Sequence, residues 1–132
     1  ALTWHTKTSF QPNLFLISVA KERFSYDLIK KSKCFVVNFM PYELSKEIIF
    51  CGNKSGKNLD KLKETGLEKE EAQTINCPII KQALAYLECK VIKEVETGDH
   101  VLFIGEVLKS ELKKLGKRPF QIEGNKFTTT LI

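Results

Sequence analysis

Histidine is scarce in this chain, which has only His5 and His100, and the four cysteines Cys34, Cys51, Cys77 and Cys89 show no CxxC spacing. Without CxxC or Cys–His pairing of zinc type, no structural metal site is expected. No stretch approaches the ~20 apolar residues that a membrane-spanning helix needs, and no segment has the layout of a secretory signal. Both GxxxxGK[ST] and GxGxxG are missing, which excludes a P-loop and a dinucleotide-binding Rossmann turn. There is no block of like charge: 21 basic and 16 acidic side chains are interspersed for a net charge of +5. That spacing fits a solvated surface with room for a small anionic ligand better than a nucleic-acid stripe. No nucleophile–base pair or carboxylate dyad is readable, so hydrolytic chemistry has little support.

What is present is an ordinary globular composition, 42% hydrophobic and 28% charged over 132 residues, without repeat, linker or low-complexity tract. One domain over 1–132 with a single core is expected. Cys34 and Cys89 lie in apolar runs and read as small core residues, and free core thiols fit a reducing cytoplasm.

Strand signals dominate. "PNLFLISVA" (12–20) and "CFVVNF" (34–39) are short apolar strands, and "LAYLECKVIKEV" (84–95) alternates with Leu87, Cys89 and Val91 on one face. "TGDHVLFIGEV" (97–107) begins with Gly98-Asp99, turn chemistry that joins it to the preceding strand as an antiparallel hairpin. Val101, Phe103 and Val107 alternate with Leu102, Ile104 and Leu108, so both faces are apolar and this strand belongs in the middle of the fold. A final short strand is expected at 126–131. Helices are expected from Ser25 as N-cap, with Leu28 and Ile29 inward; at 43–51, ended by Gly52; and at 58–66, capped by Asn58 and ended by Gly66. "LEKEEAQT" reads as polar connection. The sum is a small mainly β antiparallel barrel with short helices, an outline that a barrel binding single-stranded nucleic acid would share. Aromatics here lie mostly inside apolar runs, which counts against that rival.

Three clusters carry candidate chemistry. In "KERFS", Lys21, Arg23 and the Ser25 hydroxyl precede and open a helix, where free N–H groups and the dipole favour an anion; plain capping with solvated cations is the alternative. In "CGNKSGKNLDK", Ser55, Gly56 and Lys61 belong to a small-residue loop before a helix, which equally suits an exposed turn. At the start, Trp4 stands among Thr3, Thr6, Thr8 and Ser9, a setting for a flat ring with polar edges, or for core packing. His100 opens its strand at a barrel rim, where ligands bind, though a half-buried histidine bonded to a carbonyl would look the same. His5 receives no role.

The ordered series SF-x-P, K-x-R-[FY]-[ST]-Y-x-L-I, VVN, CG-x-x-SG-x-x-x-DK and GDH-x-x-x-x-G-x-V resembles the flavin reductase-like, flavoredoxin-type proteins of the FMN-binding split-barrel fold, over about residues 3–108. The resemblance implies FMN at a homodimer interface and electron exchange with NAD(P)H or a protein donor. By position, Ser25 with Lys21 and Arg23 would hold the phosphate, the intervening Phe24 would belong to the cofactor-binding set, and Trp4 would flank the isoalloxazine with Ser9 near it. Ser55, Gly56 and Lys61 would approach the flavin, His100 would sit catalytically against the ring, and Phe127 would cover it. An N-terminal strand that the family carries upstream is expected to be missing from this chain, and "QPN" replaces the commoner double proline. The resulting expectation is an FMN-dependent, flavin or ferric reductase-like oxidoreductase in the cytoplasm, without nucleic acid, membrane or metal. A non-enzymatic FMN electron carrier is the alternative.

Overall fold

Alternating apolar residues build the centre of the molecule, a five-stranded antiparallel sheet in the order β1-β2-β7-β6-β3. Its strands are β1 (His5–Ser9), β2 (Leu14–Ala20), β3 (Cys34–Phe39), β6 (Ala85–Thr97) and β7 (His100–Leu112). The computed structural model describes residues 1–130. As the sequence predicts, β7 lies mid-sheet, paired with β2 on one side and with β6 on the other. Gly98, at φ 62°, takes the left-handed conformation in the two-residue turn between Thr97 and His100, which glycine adopts without a Cβ penalty.

Phe15, Ile17, Val19, Phe35, Cys89, Val101 and Phe103 form the buried cluster, with Tyr26, Ile29, Leu87 and Val91 packed against it. Phe103 is fully buried; a side chain of that size contributes roughly 2–3 kcal/mol by leaving water. Gly105 lies on the same face of β7, and a Cβ there would meet Cys89 Cβ and Phe35 Cζ at 2.8 Å. The ring of Phe35 therefore rests on bare backbone. The other face of β7 is less covered: Leu102 and Ile104 are half-buried, and Leu108 is exposed rather than packed.

Between these strands run α1 (Phe24–Ser32), a 3-10 turn (Tyr42–Leu44), α2 (Ser45–Asn53), α3 (Lys61–Thr65) and the small hairpin of β4 (Lys69–Glu71) with β5 (Pro78–Ile80). A second hairpin, β8 (Pro119–Glu123) and β9 (Lys126–Thr129), closes the described chain. Several expectations need correction. The N-cap of α1 is Arg23, so Ser25 lies inside the helix, and the inward residues are Tyr26 and Ile29 while Leu28 is exposed. Tyr26, three residues before Ile29, shares its face of the helix and takes the place expected of Leu28. Gly52 belongs to α2, which ends at Asn53. The cap of α3 is Asp60, whose carboxylate accepts from Lys63 N at 3.2 Å, rather than Asn58. The polar segment after Gly66 contains β4. The final strand ends at Thr129, and residue 131 of the expected range lies outside the described residues.

Candidate functional site

The antiparallel registers decide which candidate residues can meet. His100 begins β7 opposite Ala20, the last residue of β2, and opposite Thr97 at the end of β6. The chain leaves β2 directly into Lys21 and Arg23, and Lys21 N donates to Asp99 O at 3.0 Å, tying "KERF" to the Gly98-Asp99 turn. On the outer side, Trp4 O accepts from Ser18 N at 3.0 Å, which sets the tryptophan beside the same end of the sheet. The rings of Trp4 and His100 lie 4.7 Å apart between centroids, tilted by 36°. Trp4 is 61% exposed, an unusual state for an indole that served only as core.

His100 is oriented by Asp99, whose Oδ1 lies 2.7 Å from its Nδ1. The hydrogen bond and charge of His100 hold the Asp99 carboxyl below the usual carboxylate range. An ionised carboxylate only accepts, so Nδ1 carries the proton of this bond.

A second group of side chains forms around the end of α2. Arg23 Nη1 donates to Gly52 O at 3.0 Å, and Lys61 Nζ donates to Cys51 O at 2.6 Å. Helix carbonyls at a C-terminus lack intrahelical partners and carry partial negative charge, so two cations bonded there are a structural reward for the fold. Burial pushes the Lys61 ammonium below its ordinary value, and the nearby Arg23 cation adds to that shift. The space beside Gly56 is bounded by this group, since a Cβ there would lie 3.5 Å from the Phe24 ring and 3.8 Å from Lys61 Cε. Ser55 Oγ accepts from Lys57 N at 3.2 Å and shapes the loop. The β8–β9 hairpin arrives from the far end of the chain: Asn53 Nδ2 donates to Asn125 Oδ1 at 3.2 Å, two residues before Phe127.

Trp4, Lys21, Arg23, Phe24 and His100 thus gather at one end of the sheet, and Arg23 links them to Ser55, Gly56 and Lys61. Ser25 projects from the first turn of α1 into solvent, available to a ligand although not as a cap. Ser9 is not brought in. It pairs with Leu14 at the opposite end of β1 and β2, where Leu14 faces Glu106 of β7. The sequence pattern gave no warning of this, because a strand of five residues carries its two ends about 15 Å apart. Asp99 was missed as a functional partner; its signal was its adjacency to His100.

The donor set fits an anion joined to a flat ring: cations and a helix N-terminus beside an exposed indole and an imidazole. Two cavities, of about 310 and 320 Å³, lie elsewhere, one beside Cys34 and one beside Leu84 and Arg118, while Trp4, Lys21, Arg23 and Ser25 are all exposed, so the cluster is an open face. Fold and site together define an antiparallel β-barrel domain with an anion-and-ring rim.

Residues 1–127 match the family described as flavin reductase like domain, and the chain belongs to that family. An uncharacterised protein of Archaeoglobus fulgidus is 40% identical over 105 residues, covering 80% of this chain and 59% of its own length. A ferric-chelate reductase (NAD(P)H) of the same organism is 30% identical over 106 residues, 79% of this chain and 61% of that protein. The chain therefore spans about three fifths of the length of these relatives. Among solved structures, the FMN-binding protein of Thermus thermophilus superposes with a TM-score of 0.87 at 24% identity, over 97% of this chain and 75% of that one. The split-barrel fold expected from the motifs is borne out.

Proposed function

We propose that this domain binds FMN at the rim formed by Trp4, Lys21–Ser25, Ser55–Lys61 and His100, and works as an NAD(P)H-dependent oxidoreductase of flavin or ferric reductase type. The observation that carries this reading is the convergence, at one sheet end, of the Trp4–His100 ring pair with Lys21 and Arg23. When bound, FMN supplies the electron chemistry. The chain's own residues bind and orient. Lys21, Arg23, the Ser25 hydroxyl and the free N–H groups of α1 hold the phosphate. Trp4 and Phe127 flank the ring system, and Lys61, fixed by Cys51 O, presents a positive charge to one edge. Asp99 holds a proton on His100 Nδ1 and orients the imidazole, whose Nε2 edge meets the ring or the nicotinamide.

The open face argues for a homodimer in which a second copy walls each flavin, since flavin-sized ligands are normally enclosed over most of their surface. Trp4, Phe10 and Leu108 are exposed apolar residues available to such an interface. Ser9, far from the rim of its own chain, would approach a flavin only across that interface. We place the domain, as one unit over 1–132, in the cytoplasm. Among the described residues no helix is long and apolar enough to cross a membrane.

Replacing Arg23 and Ser25 by alanine is expected to weaken FMN at least tenfold more than riboflavin, because only FMN carries the phosphate. Equal losses for the two ligands, measured by flavin fluorescence titration, remove this cluster from the phosphate role.

A further inference from the structure

Two of the four thiols are held face to face. Cys34 opens β3 immediately after Lys33, and Ser32 Oγ accepts from Cys34 N at 3.4 Å while donating to Cys34 O at 3.1 Å. Cys77 comes from a distant part of the chain, just before β5, and its Sγ lies 2.7 Å from Cys34 Sγ. The chain is fastened on both sides of Cys77. Before it, Glu88, fully buried, accepts from Gln73 N, Thr74 N and Thr74 Oγ1. After it, Ile79 is buried and Ile80 N donates to Asn38 Oδ1 at 3.0 Å. The contact is therefore set by anchored backbone and not by a swinging side chain. Both thiols are free.

A cavity of about 310 Å³ opens beside them, lined by Cys34, Ser32, Ile75, Asn76 and two cations, Lys33 and Lys90. It would admit a small reagent to Cys34, and its cations favour one that bears carboxylates.

We propose that Cys34 and Cys77 are a modification site, a dithiol that closes to an intrachain disulfide by exchange with a small, anionic disulfide. The Cys34 thiolate attacks one sulfur of the reagent; an S–S bond forms to Cys34, the reagent's own S–S bond breaks, and one small thiolate leaves. The Cys77 thiolate then attacks the Cys34 sulfur and expels the second small thiolate. Two protein thiols are oxidised to one disulfide, and the reagent is reduced to two thiols, which take up the protons released. Only a small closing of the sulfur–sulfur gap is required to reach the covalent distance of about 2.05 Å. Burial and the hydrogen bond with Cys34 push the Cys77 thiol well above its ordinary value. Closure needs the Cys77 thiolate, so its rate rises with pH.

The bond would close a loop across a sequence separation of 43 residues, containing all of α2 and α3. Constraining a loop of that size in the unfolded chain raises the thermal midpoint of a domain this large by about 10 °C. This inference stands apart from the flavin reading and survives its failure.

The test uses the whole chain, incubated with oxidised glutathione at mildly alkaline pH, then unfolded, blocked and digested. Expected are two remaining free thiols, at Cys51 and Cys89, a cross-linked peptide pair containing Cys34 and Cys77, and a thermal midpoint about 10 °C higher than in reductant. In Cys77→Ser the reagent should stop at a mixed disulfide on Cys34, with no rise in midpoint. If that variant fails to fold, the comparison of oxidised and reduced natural chain decides alone. Four free thiols after prolonged exposure, glutathione left on Cys34 of the natural chain, a link joining any other pair, or a Cys34–Cys77 link without a raised midpoint would overturn it.

Discussion

Glu88 offers a sharp test of how the loop before β5 is held. Its side chain is 0% exposed, and Oε1 accepts from Thr74 N at 2.7 Å, from Thr74 Oγ1 at 2.6 Å and from Gln73 N at 3.1 Å. Oε2 shares only Gln73 N, at 3.2 Å. In Glu88→Ala, two backbone N–H groups and a hydroxyl lose their acceptor. An unsatisfied buried donor costs roughly 1–3 kcal/mol, and because Gln73 and Thr74 are otherwise exposed, water recovers part of this. The expected loss is about 3 kcal/mol, or about 10 °C in thermal midpoint. Glu88→Gln is milder, since an amide oxygen can take over the three bonds of Oε1 and only the charge and the weakest contact disappear; about 1 kcal/mol is expected. The pH dependence adds a second check. Burial pushes the Glu88 carboxyl up, but the bonds from Thr74 and Gln73 and the Lys109 cation outweigh it and hold the group below its ordinary value. A carboxyl depressed in the folded state contributes stability that is complete above about pH 4.3 and is lost as pH falls through the folded value. Urea unfolding of the natural chain and Glu88→Gln should therefore differ at pH 7 and converge in acid. An alanine variant within about 0.5 kcal/mol of the natural chain, or a gap that widens as pH falls, would refute the bracket.

Other outcomes follow from the same geometry. Gly105→Ala forces a Cβ to within 2.8 Å of Cys89 and Phe35, so overpacking should cost about 1–3 kcal/mol in chemical denaturation, partly recovered by Phe35→Leu. His100→Ala should slow anaerobic reduction of bound flavin and shift its potential with little change in melting temperature, and Asp99→Asn should move the pH profile of the same step without abolishing it. If His100 were only structural, the melting curve would move and the potential would not. Sedimentation of the flavin-loaded protein should show a dimer; a monomer that retains FMN tightly would remove the second copy from the site.

Four strands of the central sheet, β2, β3, β6 and β7, were legible because their signals are local and redundant, whereas the polar β1 gave none. Alternation in β6 and β7, glycine at the turn and β-branched residues in β3 all point the same way. Helix starts were less so. Ser25 is a good cap by type, yet the chain turns out of β2 two residues sooner, held by Lys21 N on Asp99 O, and tertiary geometry displaced the cap to Arg23. Asp60 displaced Asn58 for a local reason: its own carboxylate accepts from Lys63 N, and α3 begins only at Lys61. In the candidate site, the resemblance set Trp4 and His100 against one ring, but that their own side chains lie side by side comes only from the fold. The bonds of Arg23 and Lys61 to the α2 carbonyls could not be anticipated either, because they join residues 29 and 10 positions apart through a helix end whose location the sequence left open. Glu88 was hidden for the opposite reason: a carboxylate within an alternating strand reads as outward, and only the fold shows that the segment carrying Gln73 and Thr74 covers this face of β6 while Cys89 fills the core on the other.

The most direct measurement is the absorption spectrum of the purified protein, reconstituted with FMN, freed of excess ligand by gel filtration, and titrated anaerobically with NADH and then NADPH. The rim described here predicts flavin bands that stay with the protein and bleach on addition of at least one nicotinamide. Retained flavin that neither nicotinamide bleaches would contradict the reductase and leave a carrier. FMN that separates completely from the protein would contradict the site itself.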